Sequence, residues 1–82
     1  MNLDQALQGQ AQTVKCVVAP VSHPELGRQL EEIGFVPGEQ VTILQRSYFG
    51  GDPMLVRVGA SSFALRSSEA KMVQLDIPST NE

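Results

Sequence analysis

Few residues of this chain are of the types that carry out chemistry, and their spacing does not assemble a catalytic site. His23 is the single histidine among 82 residues. It follows Ser22 directly, so no oriented base stands ready to activate that serine as a nucleophile. Glu31 and Glu32 are neighbours on a predicted helix and point about 100° apart, so they do not share an acid–base or metal site. We therefore expect that the protein is not an enzyme.

His23 and Cys16 are the residues that a transition metal would prefer. A stable zinc site usually takes four ligands, and the chain has one histidine and one cysteine. We expect His23 to be an exposed residue at a helix start. The alternative is that it binds a metal weakly at a surface or inter-subunit contact, with Glu25 or a second molecule's carboxylate. Cys16 is expected to be buried and unreactive. No cofactor is required on this interpretation, and a weakly bound divalent ion, iron or zinc, is the one candidate.

An aromatic pair is better suited to contacting a partner protein. Tyr48 and Phe49 precede Gly50 and Gly51 in a predicted loop over residues 47–53, and exposed rings in such loops are frequent binding hot spots. The alternative is that Phe49 folds back over the mouth of the domain and only Tyr48 is exposed.

Three arginines come from three neighbouring predicted strands. Arg46, Arg57 and Arg66 either converge on an anionic partner, even as an arginine finger for a nucleotide hydrolase, or are scattered surface charges. We predict that the partner surface comprises the helix and the loop, with these contact residues: Arg46, Tyr48, Phe49 and Arg57.

Composition limits the class of protein. A chain of 82 residues with 41% hydrophobic residues forms one small domain with a small core. The net charge of −3 and the dispersed Lys and Arg residues argue against nucleic-acid binding. The lone cysteine fits a reducing cytosol, the N-terminus does not resemble a signal peptide, and no apolar run is long enough to span a membrane. We expect a soluble cytoplasmic protein that reaches a membrane only through a partner.

The elements that must position these residues include one helix, predicted over about residues 24–33. Leu26, Leu30 and Ile33 lie at helical spacing and form one apolar stripe. Ser22 and Glu25 have the spacing of a capping box, in which Ser22 is the N-cap and Glu25 the N3 residue.

A strong stop signal follows the helix. Gly34 suits the left-handed C′ position of a Schellman motif, with a hydrophobic contact between Leu30 and Phe35. Pro37 and Gly38 then suit the central positions of a type II turn.

The remaining apolar segments predict an antiparallel barrel of five strands, whose closure would remove exposed edges. Leu3 and Leu7 are expected on the core in a short N-terminal turn. In the first strand, Val14, Cys16 and Val18 are expected on one face. A helical turn is predicted over residues 68–71, capped by a serine at 67 or 68. The domain is predicted over residues 1–77, with a disordered polar tail at 78–82. The predicted strands are 13–19, 39–46, 54–58, 62–66 and 72–77.

These segments together resemble the FeoA family. The resemblance covers residues 3–77. It departs from the family at Tyr48-Phe49-Gly50, where many members have an Ala-Pro-type turn. The matching residues are 30–38, Val41, Ile43, Gly51-Asp52-Pro53, Ala64-Leu65-Arg66 and Glu69-Ala70.

The resemblance implies an SH3-like barrel and a non-enzymatic cytoplasmic accessory or adaptor protein of bacterial ferrous iron uptake. The implied partner is the FeoB permease, a membrane protein with a cytoplasmic G-protein domain that this chain would modulate. Since the same barrel occurs in metal-dependent repressors, the alternative is a metal-responsive regulatory module that binds a divalent metal directly. Under either function, the chain could also form a weak homo-oligomer.

Overall fold

The computed structural model describes residues 1–47, 50 and 52–76, and in them the predicted mainly-β architecture is confirmed. The strands form one antiparallel sheet in the order β4-β3-β2-β1-β5, with α1 inserted between β1 and β2. A 3-10 helix (Leu3–Gln5) precedes the first strand. The strands are β1 (Gln12–Val17), β2 (Gln40–Arg46), β3 (Met54–Val58), β4 (Ser61–Leu65) and β5 (Val73–Leu75), and the helices are α1 (Pro24–Glu32) and α2 (Ser67–Ala70).

Alternating side chains of the central strands fill the core. On β3, Met54, Val56 and Val58 are buried while the residues between them are exposed, as expected for a strand with one face on the core. Helix α1 packs closely on the end of β1 because Gly27 has no side chain. A Cβ atom at Gly27 would lie 3.0 Å from that of Ala19.

The helix stop has the predicted Schellman geometry. Gly34 has φ +124° and donates its N–H to the Glu31 carbonyl at 3.1 Å, while Phe35 donates to the Leu30 carbonyl at 3.1 Å. These are the two hydrogen bonds that define the motif. Glu39 then donates to the Val36 carbonyl at 3.1 Å and closes the predicted turn.

We predict that Gly34→Val lowers the free energy of unfolding by about 1–3 kcal/mol. A Cβ at Gly34 would make an ordinary contact of 3.5 Å with Val58, so the backbone conformation, with φ +124°, already carries a cost before any contact of the valine methyl groups is counted. Chemical denaturation measures the difference. Ala60→Val, in an exposed turn, is the control and should change stability by less than about 0.5 kcal/mol. Equal stability of the two variants would contradict this account of the helix stop.

The start of α1 differs from the prediction. The N-cap is His23 and not Ser22, and it forms no side-chain capping hydrogen bond. Pro24 takes the first helical position, for which its fixed φ is suited. The Ser22 hydroxyl instead hydrogen-bonds the His23 ring at Nδ1, at 2.9 Å, so the predicted capping box is absent.

The predicted faces of β1 are wrong beyond Val14. A bulge shifts the register between Val14 and Cys16, because Lys15 is an extra residue opposite β5. Val17 therefore turns toward the core, Val18 is 57% exposed, and Cys16 is half-buried, not buried.

The N-terminal turn places a different residue in the core from the one predicted. Leu3 is buried, as expected, but Leu7 is 69% exposed and Ala6 is buried in its place. The 3-10 helix ends at Gln5 and Ala6 is extended, so the helical spacing does not continue to Leu7.

The second helix begins one residue earlier than predicted and neither serine is its N-cap. The N-cap of α2 is Arg66, whose backbone N–H donates to the Glu69 carboxylate at 2.9 Å. Ser67 instead donates its N–H and its hydroxyl to the Asp52 carboxylate, at 2.9 and 3.3 Å. This contact holds the segment before β3 against α2.

The two outer strands of the sheet have different surroundings. On β5, Gln74 forms a bridge with Asn2, and Leu75 donates its N–H to the Met1 carbonyl at 2.8 Å. Within the described ranges, β4 pairs only with β3, so the expectation that closure removes both edges is wrong for β4. The predicted tail at 78–82 lies outside the described residues.

Candidate docking surface

A groove separates helix α1 from the edge strand β4. Its deeper part is a cleft of about 290 Å³, and a shallower depression of about 600 Å³ continues it between the end of β1 and α2. Leu26, Glu69 and Met72 line both parts, so we treat them as one surface, hereafter the α1–β4 groove. Its other apolar lining comes from Val18, Ala19, Pro20, Leu30, Ile33, Phe63, Ala64 and Leu65.

The apolar stripe of α1 explains why the groove is hydrophobic. Leu30 faces the core and is 4% exposed, whereas Ile33, on the same stripe, is 38% exposed. Leu26 and Phe63 are half-buried against the core. The apolar stripe of α1 therefore extends beyond the part that the core buries. Contiguous exposed apolar surface of this kind is typical of an interaction site.

Cationic side chains lie at one end of the groove. Arg66 and Lys71 line its shallower part and are exposed. The carboxylate of the neighbouring Glu69 accepts the backbone N–H of Arg66. With two cations and the Glu69 carboxylate, this end of the groove has a formal charge of only +1, which still favours an acidic group, although the whole chain has a net charge of −3.

The three arginines do not converge. Arg46 lies opposite the buried Met54, on the core side of β2. Its Nη2 donates to the backbone carbonyls of Asp4 and Ala6, at 3.0 and 2.7 Å, so it fastens the N-terminal turn to the sheet. Arg57 is exposed on the outer face of β3, and Arg66 follows β4.

Tyr48 and Phe49, the predicted aromatic contacts, lie outside the described residues. Ser47 and Pro53, the described ends of the predicted loop, line a small depression of about 180 Å³. Ala64 of β4 lines both this depression and the α1–β4 groove. The depression and the groove thus lie on either side of one strand.

His23 is exposed, and its ring hydrogen-bonds the hydroxyl of Ser22. The described residues contain no group of three or more His, Cys, Asp or Glu side chains that could hold a metal ion. A helix long and apolar enough to cross a membrane is likewise absent from the described part of the chain.

Sequence reasoning found the helix side of the groove but missed its other wall. Phe63 and Met72 lie within short predicted strands, and no role at a partner surface was predicted for either. The one sequence signal was the length of the apolar stripe from Leu26 to Ile33, which exceeds what so short a helix needs to cover a small core.

Comparisons with known proteins agree with this architecture. A family model described as FeoA domain matches residues 1–76. No curated protein matches the chain.

Solved structures of similar fold include two FeoA proteins. The Stenotrophomonas maltophilia FeoA is 39% identical, with a TM-score of 0.84 over 93% of this chain and 89% of that one. It was solved with zinc and described as an SH3 domain protein and a candidate ferrous iron transport activating factor. The Chlorobium tepidum FeoA is 27% identical, with a TM-score of 0.81 over 100% of this chain and 74% of that one.

A manganese-dependent transcriptional repressor shares the fold alone. It is 20% identical, with a TM-score of 0.73 over 89% of this chain and 39% of the repressor.

Proposed function

Because the chain belongs to the FeoA family, which is associated with ferrous iron transport, we propose that it is a non-enzymatic cytoplasmic accessory protein that docks on a FeoB-type permease. The α1–β4 groove is the proposed docking surface. The observation that carries this proposal is the groove itself, an apolar surface with cations at one end.

Charge distribution supports a protein partner with an acidic segment. Arg66 and Lys71 are exposed at the groove, where they would steer an acidic group toward the apolar lining. The apolar residues then supply most of the affinity, because burial of hydrophobic surface dominates protein association.

The predicted contacts Tyr48, Phe49 and Arg57 extend this surface in the proposal. Ser47 and Pro53, at the two ends of the loop, share a depression with Ala64, which also lines the groove. Arg46 takes part indirectly, since its guanidinium already binds the N-terminal backbone.

Co-purification tests the proposal. The tagged chain would be recovered from bacterial membranes that contain its own permease, at moderate salt. We expect the permease in the eluate, and less of it with the double variant Tyr48→Ala/Phe49→Ala. Failure to recover the permease with the wild-type chain would contradict docking. Recovery that is unaffected by the double variant would remove the loop from the surface and leave the groove.

Docking is also proposed to modulate the G-protein domain of the permease. GTP turnover by the permease with and without the chain decides this point. Arg57→Ala and Arg66→Ala separate the two exposed arginines, and equal turnover in all samples would leave an adaptor without regulatory effect.

No resident cofactor is proposed, but weak zinc binding is expected through His23. The imidazole is exposed, and the described residues contain no group of three or more potential ligands, so a second molecule would complete the coordination. In equilibrium dialysis, zinc uptake should be below one ion per chain and should be lost in His23→Ala. Ser22→Ala, which keeps the imidazole, is the matched control. Uptake that persists in His23→Ala would contradict this assignment.

A further inference from the structure

The free edge of β4 offers a definite set of backbone groups. The loop between β3 and β4 has two residues, with Gly59 at φ +57° and Val58 opposite Ser61. In a hairpin of this kind, the pair that flanks the loop is hydrogen-bonded, and bonded pairs then alternate along the ladder. Ser61, Phe63 and Leu65 therefore bond to β3, whereas the N–H and C=O groups of Ser62 and Ala64 point away from it.

Among the residues that the structure describes, none protects this edge in the usual ways. Edge strands are commonly covered, bulged, or interrupted by charge or proline. The opposite edge of the sheet, β5, is covered by Asn2. Strand β4 has the sequence Ser-Ser-Phe-Ala-Leu, without charge or proline, and its pairing with β3 shows no register shift.

The free edge borders the α1–β4 groove. Leu26 and Ile33 of α1 and Phe63 of β4 line the cleft from its two sides. A further strand beside β4 would place alternate side chains over these residues, since side chains of a strand alternate between faces. Its backbone would meet the free groups of Ser62 and Ala64.

We propose that an extended segment of the permease's cytoplasmic part adds to β4 as a sixth strand of the sheet, which rests on the proposed function. Alternate apolar side chains of the segment enter the groove, and a carboxylate lies beside Arg66 and Lys71. Backbone hydrogen bonds then supply affinity and the groove supplies specificity, as in other strand-addition complexes.

A second copy of this chain fits the site less well. Its own edge would bring residues 61–65, which contain no carboxylate, followed by Arg66. Two like edges would therefore leave the cations at the groove without an acidic partner.

Amide hydrogen exchange, followed by NMR on the isotope-labelled chain, tests the proposal. On addition of the permease's cytoplasmic domain, exchange at Ser62 and Ala64 should slow by about tenfold or more. Phe63 and Leu65, already bonded to β3, serve as internal controls and should change less. The free chain is measured at low and high concentration.

The outcomes separate the two proposals. A complex without slower exchange at Ser62 and Ala64 would overturn strand addition and leave docking intact. Absence of a complex would reject both. Slow exchange at these two amides in the concentrated free chain, lost on dilution, would show that a second copy occupies the edge, and would also overturn the proposal.

A backbone variant gives a second test. Ala64→Pro removes a free edge donor without removing a bond to β3, since Ala64 and Leu55 form a non-bonded pair in this register. We expect about tenfold weaker binding of the cytoplasmic domain. Ala64→Ser, which retains the donor, should bind like the wild type. Ser62→Pro repeats the test at the other free donor. Unchanged affinity in a folded proline variant would overturn the proposal.

Discussion

Phe35→Ala is expected to lower the free energy of unfolding by about 3–5 kcal/mol. The ring is fully buried and is the largest such side chain in the described core. Its removal leaves a cavity and also deletes the apolar contact that accompanies the helix stop. A domain of this size has only about 5–10 kcal/mol in total, so we expect the variant to be largely unfolded at moderately elevated temperature.

Thermal and chemical denaturation followed by circular dichroism measure this effect. Val36→Ala is the matched control, since Val36 is the next residue and is 39% exposed. Its cost should be below about 0.5 kcal/mol. A loss for Phe35→Ala that is no larger than that of the control would show that Phe35 does not hold the helix to the sheet.

Ile33→Asp is expected to weaken binding to the permease by about 30-fold or more, which corresponds to about 2 kcal/mol, the usual threshold of a hot spot. Ile33 lies in the α1–β4 groove and is 38% exposed, so the domain tolerates a carboxylate there. In the complex the same carboxylate would be buried against apolar side chains without a partner, which is costly.

Val36→Asp is a closely matched control for this prediction. Val36 is 39% exposed, nearly the same fraction as Ile33, but it does not line the groove. Titration calorimetry with the cytoplasmic domain compares the two variants, after their folding is confirmed. Equal affinities would place the docking surface elsewhere.

Local signals predicted much of the fold. The stop after α1 depends on residues that lie within nine positions of one another, and its two hydrogen bonds involve Gly34 and Phe35 as expected. The bounds of β3 were also predicted correctly, because residues 54–58 are a short apolar run between turn-forming segments.

The errors arise where distant segments decide the outcome. The bulge at Lys15 depends on how β1 pairs with β5, and it removes Cys16 and Val18 from the face predicted for them. The hydrogen bonds from the Arg46 guanidinium to backbone carbonyls in the N-terminal turn, 42 and 40 positions away, were likewise not predicted, while its role as a partner contact stays a prediction. Neither the β1–β5 register nor the hydrogen bonds of Arg46 can be predicted from neighbouring residues in the sequence.

The candidate site, like the fold, was predictable only where local sequence decides it. The apolar stripe of α1 was visible in the sequence, while the position of β4 across the groove depends on the order of strands in the sheet. The free backbone groups of Ser62 and Ala64 follow from that order and from the length of one loop. Side-chain patterns do not contain this information.

Direct titration of the full-length FeoB-type permease in lipid nanodiscs with the fluorescently labelled chain tests the central claim. We predict saturable binding, with one chain per permease and an affinity that decreases as salt screens the charges of Arg66 and Lys71. Absence of saturable binding at chain concentrations up to about 100 μM, well above the usual range for specific complexes, would contradict the assignment of this chain as a docking partner of the permease.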